Sequence, residues 1–316
     1  MMVLNSVINV EKICTMTKNL IVITGPTAIG KTSLSIQLAK YFNCEIVSAD
    51  SRQFYKEMSI GTAAPTAEEL SQAKHHCIQH KSVKEIYTVG DFEKEALEIL
   101  DKLFSKNDYA ILIGGSGLYV DAVTKGLDHF PEVDPKIRQQ LNDTLETKGI
   151  DVLQEQLKEL DPIHYSNVDI HNPQRVIRAL EICMGTGEPY SSFLTKSKKN
   201  RPFKSIKTGI TADRQIIYDR INLRVDLMIK AGLIDEVKSL QEYQSLNALN
   251  TVGYKEIFKY LNKEWDLDFS ISEIKKNTRR FAKRQLTWFR KDTEIEWFDY
   301  QSDLESFITY IKKNSL

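Results

Sequence analysis

The sequence is poor in cysteine and carries no excess of charge. Cys14, Cys44, Cys77 and Cys183 are scattered through 316 residues without a close pair. That spacing excludes a disulfide framework and a zinc ribbon, and it points to a reducing compartment, read here as the cytoplasm. Basic and acidic residues number 43 each, so the formal net charge is zero and only local clustering can mark a polyanionic partner. No apolar run approaches the ~20 residues that span a bilayer, so no membrane partner is expected. The opening MMVLNSVINVEKICTM is interrupted by Asn5, Asn9, Glu11 and Lys12, and it lacks the basic start and unbroken apolar stretch of a signal peptide. Residues 1–18 are expected to be a flexible extension, with Met16 as an alternative start. Repeats and low-complexity tracts are also absent. With 41% hydrophobic and 27% charged residues, the chain suits a packed core under a soluble surface, and its length suits a core domain with a smaller partner.

Short apolar runs set the organisation. LIVIT at Leu20 to Thr24 meets glycine at once, as a buried parallel strand does on entering a loop, and EIVSA at Glu45 to Ala49 and YAILI at Tyr109 to Ile113 repeat the pattern. Helical spacing lies between them, at Ser33 to Tyr41, Ala67 to Lys74 and Val89 to Ser105. Alternation of this kind predicts an α/β fold, a parallel sheet flanked by helices. From Thr124 to Lys199 only helical patterning appears, so 124–199 is expected to be a helical insertion into a core built from 19–123 and 200–316. KTGITA at Lys207 to Ala212 returns as a further strand, followed by helices at 213–231, 233–243, 252–262 and 271–291.

GPTAIGKT spans Gly25, Pro26, Thr27, Ala28, Ile29, Gly30, Lys31 and Thr32 and fits G-x-x-x-x-G-K-[ST]. Its glycines let backbone N–H groups close around phosphate oxygens, Lys31 adds a point charge, and the Thr32 hydroxyl is suited to a magnesium ion. A strand ends directly before it and a helix begins directly after it, which sets a helix N-terminus at the anion. The fold class is therefore expected to be that of the P-loop NTPases. Triphosphate hydrolysis usually adds a carboxylate at the end of an internal strand. Here YAILI runs instead into Gly114, Gly115 and Ser116, which favours group transfer over a motor or switch.

Asp50 follows the second strand, on the sheet edge from which the phosphate loop emerges. It is suited to take a proton from an attacking nucleophile. Small-molecule kinases also carry an acid there, so this feature by itself leaves both readings open.

Beyond these local signals, the chain from Leu20 to Trp297 closely resembles the bacterial tRNA dimethylallyltransferases, also called tRNA isopentenyltransferases. The resemblance is carried by GPTAIGKT, SADSRQFYKEMSIGTAAP, YTVGDF, GGSGLYVDAV, NPQRVIRALE, RINLRVDLMIKAGLIDEV, TVGYKE and FAKRQLTWFR. It implies transfer of a dimethylallyl group from dimethylallyl diphosphate to the exocyclic amine of adenosine at position 37 of tRNA, next to the anticodon, with Mg2+. It also implies that Asp50 accepts the amine proton and that Lys31, Arg224 and magnesium-bound Thr32 hold the departing diphosphate. Ser116 stands where the family usually has threonine, and it keeps the hydroxyl. Contacts to the anticodon stem-loop of tRNA are implied for Asp50, Ser51, Arg52, Gln53, Ser116, Arg138, Gln174, Arg175, Val176, Ile177 and Arg178. The target base has to leave its stack to react. The chain is expected to act as a monomer. A free-nucleotide isopentenyltransferase and a non-catalytic RNA-binding module are the remaining rivals; the tRNA-like insertion weighs against the first, and Lys31 with Asp50 against the second.

Two zones are basic in this neutral chain. Residues 274–291 hold eight basic side chains and no acid, with Lys276, Arg279, Arg280 and Lys283 on one helical side and Phe281, Gln285, Leu286 and Phe289 toward another. Pro189 to Ala212 is also acid-free and holds Lys196, Lys198, Lys199, Arg201, Lys204 and Lys207. Both read as a phosphate-backbone footprint. HHCIQH sets His76 and His80 four apart, but no matching ligand pair occurs elsewhere in the sequence for a zinc site. If the footprint reading is correct, tRNA binding measured by filter retention weakens steeply as salt is raised, by about 10³-fold or more over a fourfold rise for six or more phosphate contacts; a flat response removes it.

Overall fold

The computed structural model describes residues 17–195 and 199–315. The expected extension therefore lies outside the described residues except at its end, as do Met16, Cys14, Lys196 and Lys198. Lys18 is not loose. Its ammonium meets Asp108 at 2.7 Å, and its carbonyl accepts the Lys204 N–H. No helix among the described residues is long and apolar enough to cross a membrane.

The chain divides into two compact units, Gly126–Lys199 and the remainder. The larger unit is built on six strands: β1 (Asn19–Thr24), β2 (Ile46–Ser48), β3 (His75–His76), β4 (Tyr109–Ile113), β5 (Lys204–Thr211) and β6 (Glu296–Asp299). All pairings are parallel, in the order β3-β2-β4-β1-β5-β6. Strand β1 is buried along its whole length because both of its edges and both of its faces are covered. Side-chain alternation divides it between two cores. Leu20 and Val22 join Val47, Leu112 and the stripe Phe92, Ala96, Leu100 and Phe104 of a helix on one face. Ile21 and Ile23 join Ile46, Ile111, Ile206 and Ile210 on the other.

The helices of this unit that precede residue 126 are α1 (Lys31–Phe42), α2 (Ala67–Gln72), α3 (Val89–Phe104) and α4 (Gly117–Thr124). Helix α3 starts where it does because Thr88 and Asp91 form a reciprocal capping box, and its apolar residues then recur every fourth position. The smaller unit holds α5 (Pro135–Lys148), α6 (Ile150–Leu160), α7 (Pro162–Tyr165) and α8 (Pro173–Thr186) around Leu141, Leu153, Leu157, Val176, Ile177 and Leu180. Asp134, Asp161 and Asn172 cap three of these helices directly before a proline at the first helical position, where the missing N–H costs nothing. After it come α9 (Arg214–Lys230), α10 (Leu233–Ser239), α11 (Tyr254–Leu261), α12 (Leu267–Phe289) and α13 (Leu304–Asn314).

Several elements were not visible in the sequence pattern, helix α4 after Ser116 and the short α7 among them. Strand β3 is a two-residue edge, and β6 and α13 follow the last predicted helix. Two others differ in extent. Helix α12 begins at Leu267 because Asp266 caps it, and the helix expected over 233–243 ends at Ser239, followed by a 3-10 turn at Gln241–Tyr243.

Lys207 corrects the basic-zone reading. It lies on β5 with only 5% of its side chain exposed, and its ammonium meets Asp292 at 2.7 Å and Glu294 at 2.8 Å. Asp292 also meets Lys125 at 3.0 Å. Burial raises the Asp292 pKa, but the hydrogen bonds from Lys207 and Lys125 prevail and hold it at about 2 against an ordinary 3.8. A carboxyl depressed on folding stabilises above its unfolded pKa and loses that contribution as pH falls through the folded one. Asp292→Asn is therefore expected to cost roughly 1–2 kcal/mol at neutral pH, after allowance for partial exposure. In urea titrations the difference from wild type shrinks between about pH 4 and pH 2.

Candidate active site

The turn after β1 carries the phosphate loop. Gly25 has φ +142°, and a Cβ there would stand 2.5 Å from the Ile210 carbonyl oxygen, so only glycine lets the chain leave between β1 and β5. Ala28 and Gly30 also take positive φ, at 65° and 111°. The Lys31 ammonium donates to the carbonyls of Gly25 at 3.0 Å and Pro26 at 2.8 Å. Burial is the main cause that lowers its pKa to about 8, with Arg224 acting in the same direction and Asp50 opposing. Arg224 comes from α9, and its Nη1 donates to Thr27 Oγ1 at 3.0 Å. Burial holds its pKa below the ordinary arginine value, against the pull of Asp50. Lys31, Asp50 and Arg224 are thus near enough to act on one another, although they come from three separate elements.

A cavity of about 810 Å³ opens over this loop. Residues 27–33, Asp50, Arg220 and Arg224 line its polar side, and Ile60, Leu223, Leu227, Met228 and Phe281 supply an apolar side. Gly25 and Pro26 are not in the lining; their carbonyls hold Lys31 instead. The Ile29 side chain is buried in the core, so its part here is backbone only. The Thr32 hydroxyl is a hard oxygen donor at this cavity and fits a magnesium ion whose other ligands are water and phosphate oxygens.

A second cavity of about 580 Å³ shares Thr27, Asp50, Thr62, Ala63, Arg224, Met228 and Phe281 with the first and adds Ser51, Arg52, Ser116, Lys259, Trp265 and Arg284. Asp50 thus lies where the two meet. Its Oδ1 accepts the Arg52 N–H at 3.1 Å, which pins the turn after β2. Ser116 Oγ accepts the Ser51 N–H at 3.1 Å and donates to Ser51 Oγ at 3.1 Å, which ties the turn after β4 to the turn after β2. Ser116 lines the second cavity and not the phosphate-loop cavity. Ser59 and Ile60 line the first cavity and Gly61 the second, and this segment is held by Glu236, whose carboxylate accepts their N–H groups at 2.7–2.9 Å and the Tyr254 hydroxyl at 2.6 Å.

Other expected residues fall elsewhere. Arg52 donates Nη1 to the carbonyls of Asn247 and Ala248. Gln53 turns its amide to the carbonyls of Thr62 and Ala63 and lines the first cavity, away from Ser51 and Arg52. In the smaller unit, Arg138 and Arg178 both meet the buried carboxylate of Glu181, at 3.0 and 2.9 Å, and Gln174 accepts from Arg138. Arg175 is exposed. Val176 and Ile177 are 0% exposed in that unit's core, so their side chains do not reach a partner.

The basic zones are only partly surface features. Arg201 donates to Glu93 and to the carbonyls of Ala122 and Val123, and with Lys207 it is withdrawn from any phosphate footprint. On α12, Arg279 donates to Asn222 on α9 rather than joining an outer stripe, whereas Lys276, Arg280, Lys283 and Arg284 are exposed. Phe281, expected to pack, is 37% exposed and lines both cavities. The histidines diverge. His76 meets Glu45 at 2.6 Å, and His80 meets Glu95 at 3.2 Å. Cys77, His80 and Glu95 do bring ligand-type atoms within 4.8 Å of one another. Glu95, however, is already met by the Lys81 ammonium at 3.2 Å and the Tyr87 hydroxyl at 2.8 Å, and burial, with Glu95 beside it, pushes the Cys77 thiol up to about 12. The Glu95 carboxylate is thus met by the Lys81 ammonium.

Sequence reasoning overlooked Arg220, which donates to the Ala28 carbonyl at 2.8 Å. Its place one helical turn before Arg224 was a usable signal. Glu236, Trp265 and Arg284 gave no such signal, since nothing in their local pattern points to Asp50.

Comparison with known proteins gives the family. The family model described as IPP transferase matches residues 53–292. A protein named tRNA dimethylallyltransferase from Christiangramia forsetii is 59% identical over 94% of this chain and 98% of its own length. One of the same name from Flavobacterium johnsoniae is 57% identical with the same coverage. Among solved structures, the tRNA isopentenylpyrophosphate transferase of Bacillus halodurans superposes with a TM-score of 0.70 at 36% identity, covering 94% of this chain and 98% of that one. A eukaryotic dimethylallyltransferase acting on tRNA gives 0.75 at 28% identity, covering 95% and 78%.

The lowered Lys31 pKa has a direct consequence for anion binding. Affinity for inorganic pyrophosphate, followed by calorimetry, is expected to fall as pH rises through about 8, by up to about tenfold per pH unit while the ammonium is being lost. Lys31→Met weakens binding below that pH and removes the fall that is due to the ammonium, leaving only the dependence set by the protonation of pyrophosphate itself.

Proposed function

The chain belongs to the IPP transferase family, and from that premise we propose that it transfers a dimethylallyl group from dimethylallyl diphosphate to the exocyclic amine of an adenosine in tRNA, at position 37 beside the anticodon. The observation that carries this reading is the junction at Asp50. A cationic, phosphate-type cavity with an apolar wall meets a second cavity there, and Thr27, Asp50 and Arg224 belong to both.

The chemistry follows from that junction. The exocyclic amine is a weak nucleophile because its lone pair is delocalised into the ring, so both ends of the exchange need help. The amine nitrogen forms a bond to the first carbon of the dimethylallyl group, the carbon–oxygen bond to diphosphate breaks, and the bonding pair leaves on the diphosphate oxygen. Asp50 accepts the amine proton. Lys31, Arg224 and the backbone N–H groups of Ala28 to Thr32 meet the charge that builds on the leaving group. Leu223, Leu227 and Met228 accommodate the five-carbon chain on the apolar wall. Thr32 is the oxygen donor that would hold Mg2+, which would supply further neutralisation of the diphosphate when bound, while Asp50 stays available as the base. The two cationic side chains supply charge neutralisation by themselves as well.

On the acceptor side, Ser116 and Ser51 offer hydroxyls beside Asp50. The adenine reaches them extruded from its stack, at a cost of a few kcal/mol, roughly. The exposed cations of α12 and, on the helical unit, Arg175 are assigned to the phosphate backbone of the anticodon stem-loop. Arg138 and Arg178 are oriented by Glu181 for the same purpose. Val176 and Ile177 are left out of that assignment.

The test is an incubation with labelled dimethylallyl diphosphate, ATP, AMP and unmodified tRNA. Label is expected on tRNA adenosine; label on AMP alone, or phosphate transfer from ATP, overturns the reading. Asp50→Asn is expected to lower kcat by about 10²–10⁴-fold while pyrophosphate affinity stays within a few-fold of wild type.

A further inference from the structure

Gln285 has no part in the chemistry above, yet it touches both halves of the site. It sits on α12 with 5% exposure. Its Oε1 accepts the Thr27 N–H at 2.9 Å, and its Nε2 donates to the Gly115 carbonyl at 2.9 Å. The orientation of the amide is dictated by its partners, because the opposite one sets donor against donor and acceptor against acceptor. Gly115 is built around it. A Cβ at that position would stand 2.3 Å from Gln285 Nε2, so glycine is the residue that lets the amide in.

Each partner leads to a group of the site within one residue. Thr27 accepts Arg224 through its hydroxyl, and its own N–H, taken by Gln285, is not a donor to the diphosphate. Gly115 precedes Ser116, which is tied to Ser51 beside Asp50. One amide therefore spans the turn that carries the diphosphate and the turn that faces the acceptor, and no other described side chain hydrogen-bonds to both the Thr27 and Gly115 backbones.

We propose that Gln285 is a positioning residue for the transfer. It fixes the separation between the phosphate loop and the Gly114–Ser116 turn, so that the attacking nitrogen and the breaking carbon–oxygen bond stay in line. The proposal rests on the activity read above. A misplacement of about 1 Å between reacting groups costs on the order of 10²-fold in rate.

Glutamate at this position provides a readout that a merely structural residue does not. Protonated, it keeps the shape and both hydrogen bonds of glutamine. Ionised, it sets an acceptor against the Gly115 carbonyl. The titratable and charged groups that line the phosphate-loop cavity with it are Lys31 from α1, Asp50 from the turn after β2, Glu69 from α2, His75 from β3, and Arg220 and Arg224 from α9. Methionine separates the lost hydrogen bonds from the added charge, since it has the same length and neither bonds nor charge.

The experiment measures kcat and KM for dimethylallyl transfer to tRNA as a function of pH for wild type, Gln285→Glu and Gln285→Met. Gln285→Met is expected to lose about 100-fold in kcat at every pH, with KM for dimethylallyl diphosphate changed by less than about fivefold. Gln285→Glu is expected to approach wild type at the acid end and to lose a similar factor relative to wild type at the same pH as pH rises. Circular dichroism and pyrophosphate binding on the same samples report the fold, and Gln285→Asn, which keeps the amide but is one methylene short, decides on the same kcat criterion if either variant fails to fold. If kcat of the folded variants stays within about threefold of wild type across the range, the positioning role is overturned. If wild type itself does not label tRNA, the activity reading fails instead.

Discussion

The parallel ladder β4-β1-β5 is the constraint from which the site follows. Strand β1 is hydrogen-bonded on both edges and buried on both faces, so its backbone has no freedom to tilt or slip. Because its neighbours run in the same direction, the turns after β1, β2 and β4 all leave at one edge of the sheet. The phosphate loop, Asp50 and Ser116 each sit on one of those turns. The turns are crowded as a result. A Cβ at Gly114 would stand 2.6 Å from the Ala49 carbonyl oxygen, and one at Gly115 would stand 2.3 Å from Gln285 Nε2, so the two glycines are packing requirements set by the chain after β2 and by α12.

On that edge the protein assembles like charges that repel. Burial disfavours the charged forms of Lys31 and Arg224, and repulsion adds to it, from Arg224 at Lys31 and from Arg220 at Arg224. Carbonyls of Gly25 and Pro26, the Thr27 hydroxyl and the field of Asp50 offset part of that cost. In the proposed reaction a diphosphate would supply the remaining negative charge. Donors already aimed at the leaving group need no reorganisation as the bond breaks. Asp50 serves both sides, because it stabilises the cations electrostatically and faces the cavity where an amine proton would be released.

How much was legible depended on the range of each signal. LIVIT and YAILI were recognisable as internal strands because central parallel strands are apolar on both faces. Strand β6 escaped because Glu296 and Asp299 are exposed and only Trp297 and Phe298 between them are half-buried, a pattern too short to separate from a loop. The basic zone around Arg201 and Lys207 was misread because counting charges ignores side-chain direction. On β5 Lys207 points inward to Asp292 and Glu294, which follow a helix about 85 residues later. Phe281 was assigned to a packed face by its helical angle, but the ground opposite it is a cavity.

The sequence by itself determined the phosphate loop, the strand and helix that flank it, the acid after β2 and the helical character of the inserted unit. Each is written in a few consecutive residues, through backbone torsions that need glycine and through the burial period of a strand or helix. The tertiary structure alone decided which cations are withdrawn into ion pairs, that Asp50 stands where two cavities meet, and that Gln285 bridges turns 258 and 170 residues away from it. The physical reason is the range of the interactions. Torsional preference and periodicity act between chain neighbours, whereas a hydrogen bond is specified only when the whole fold brings two groups to about 3 Å.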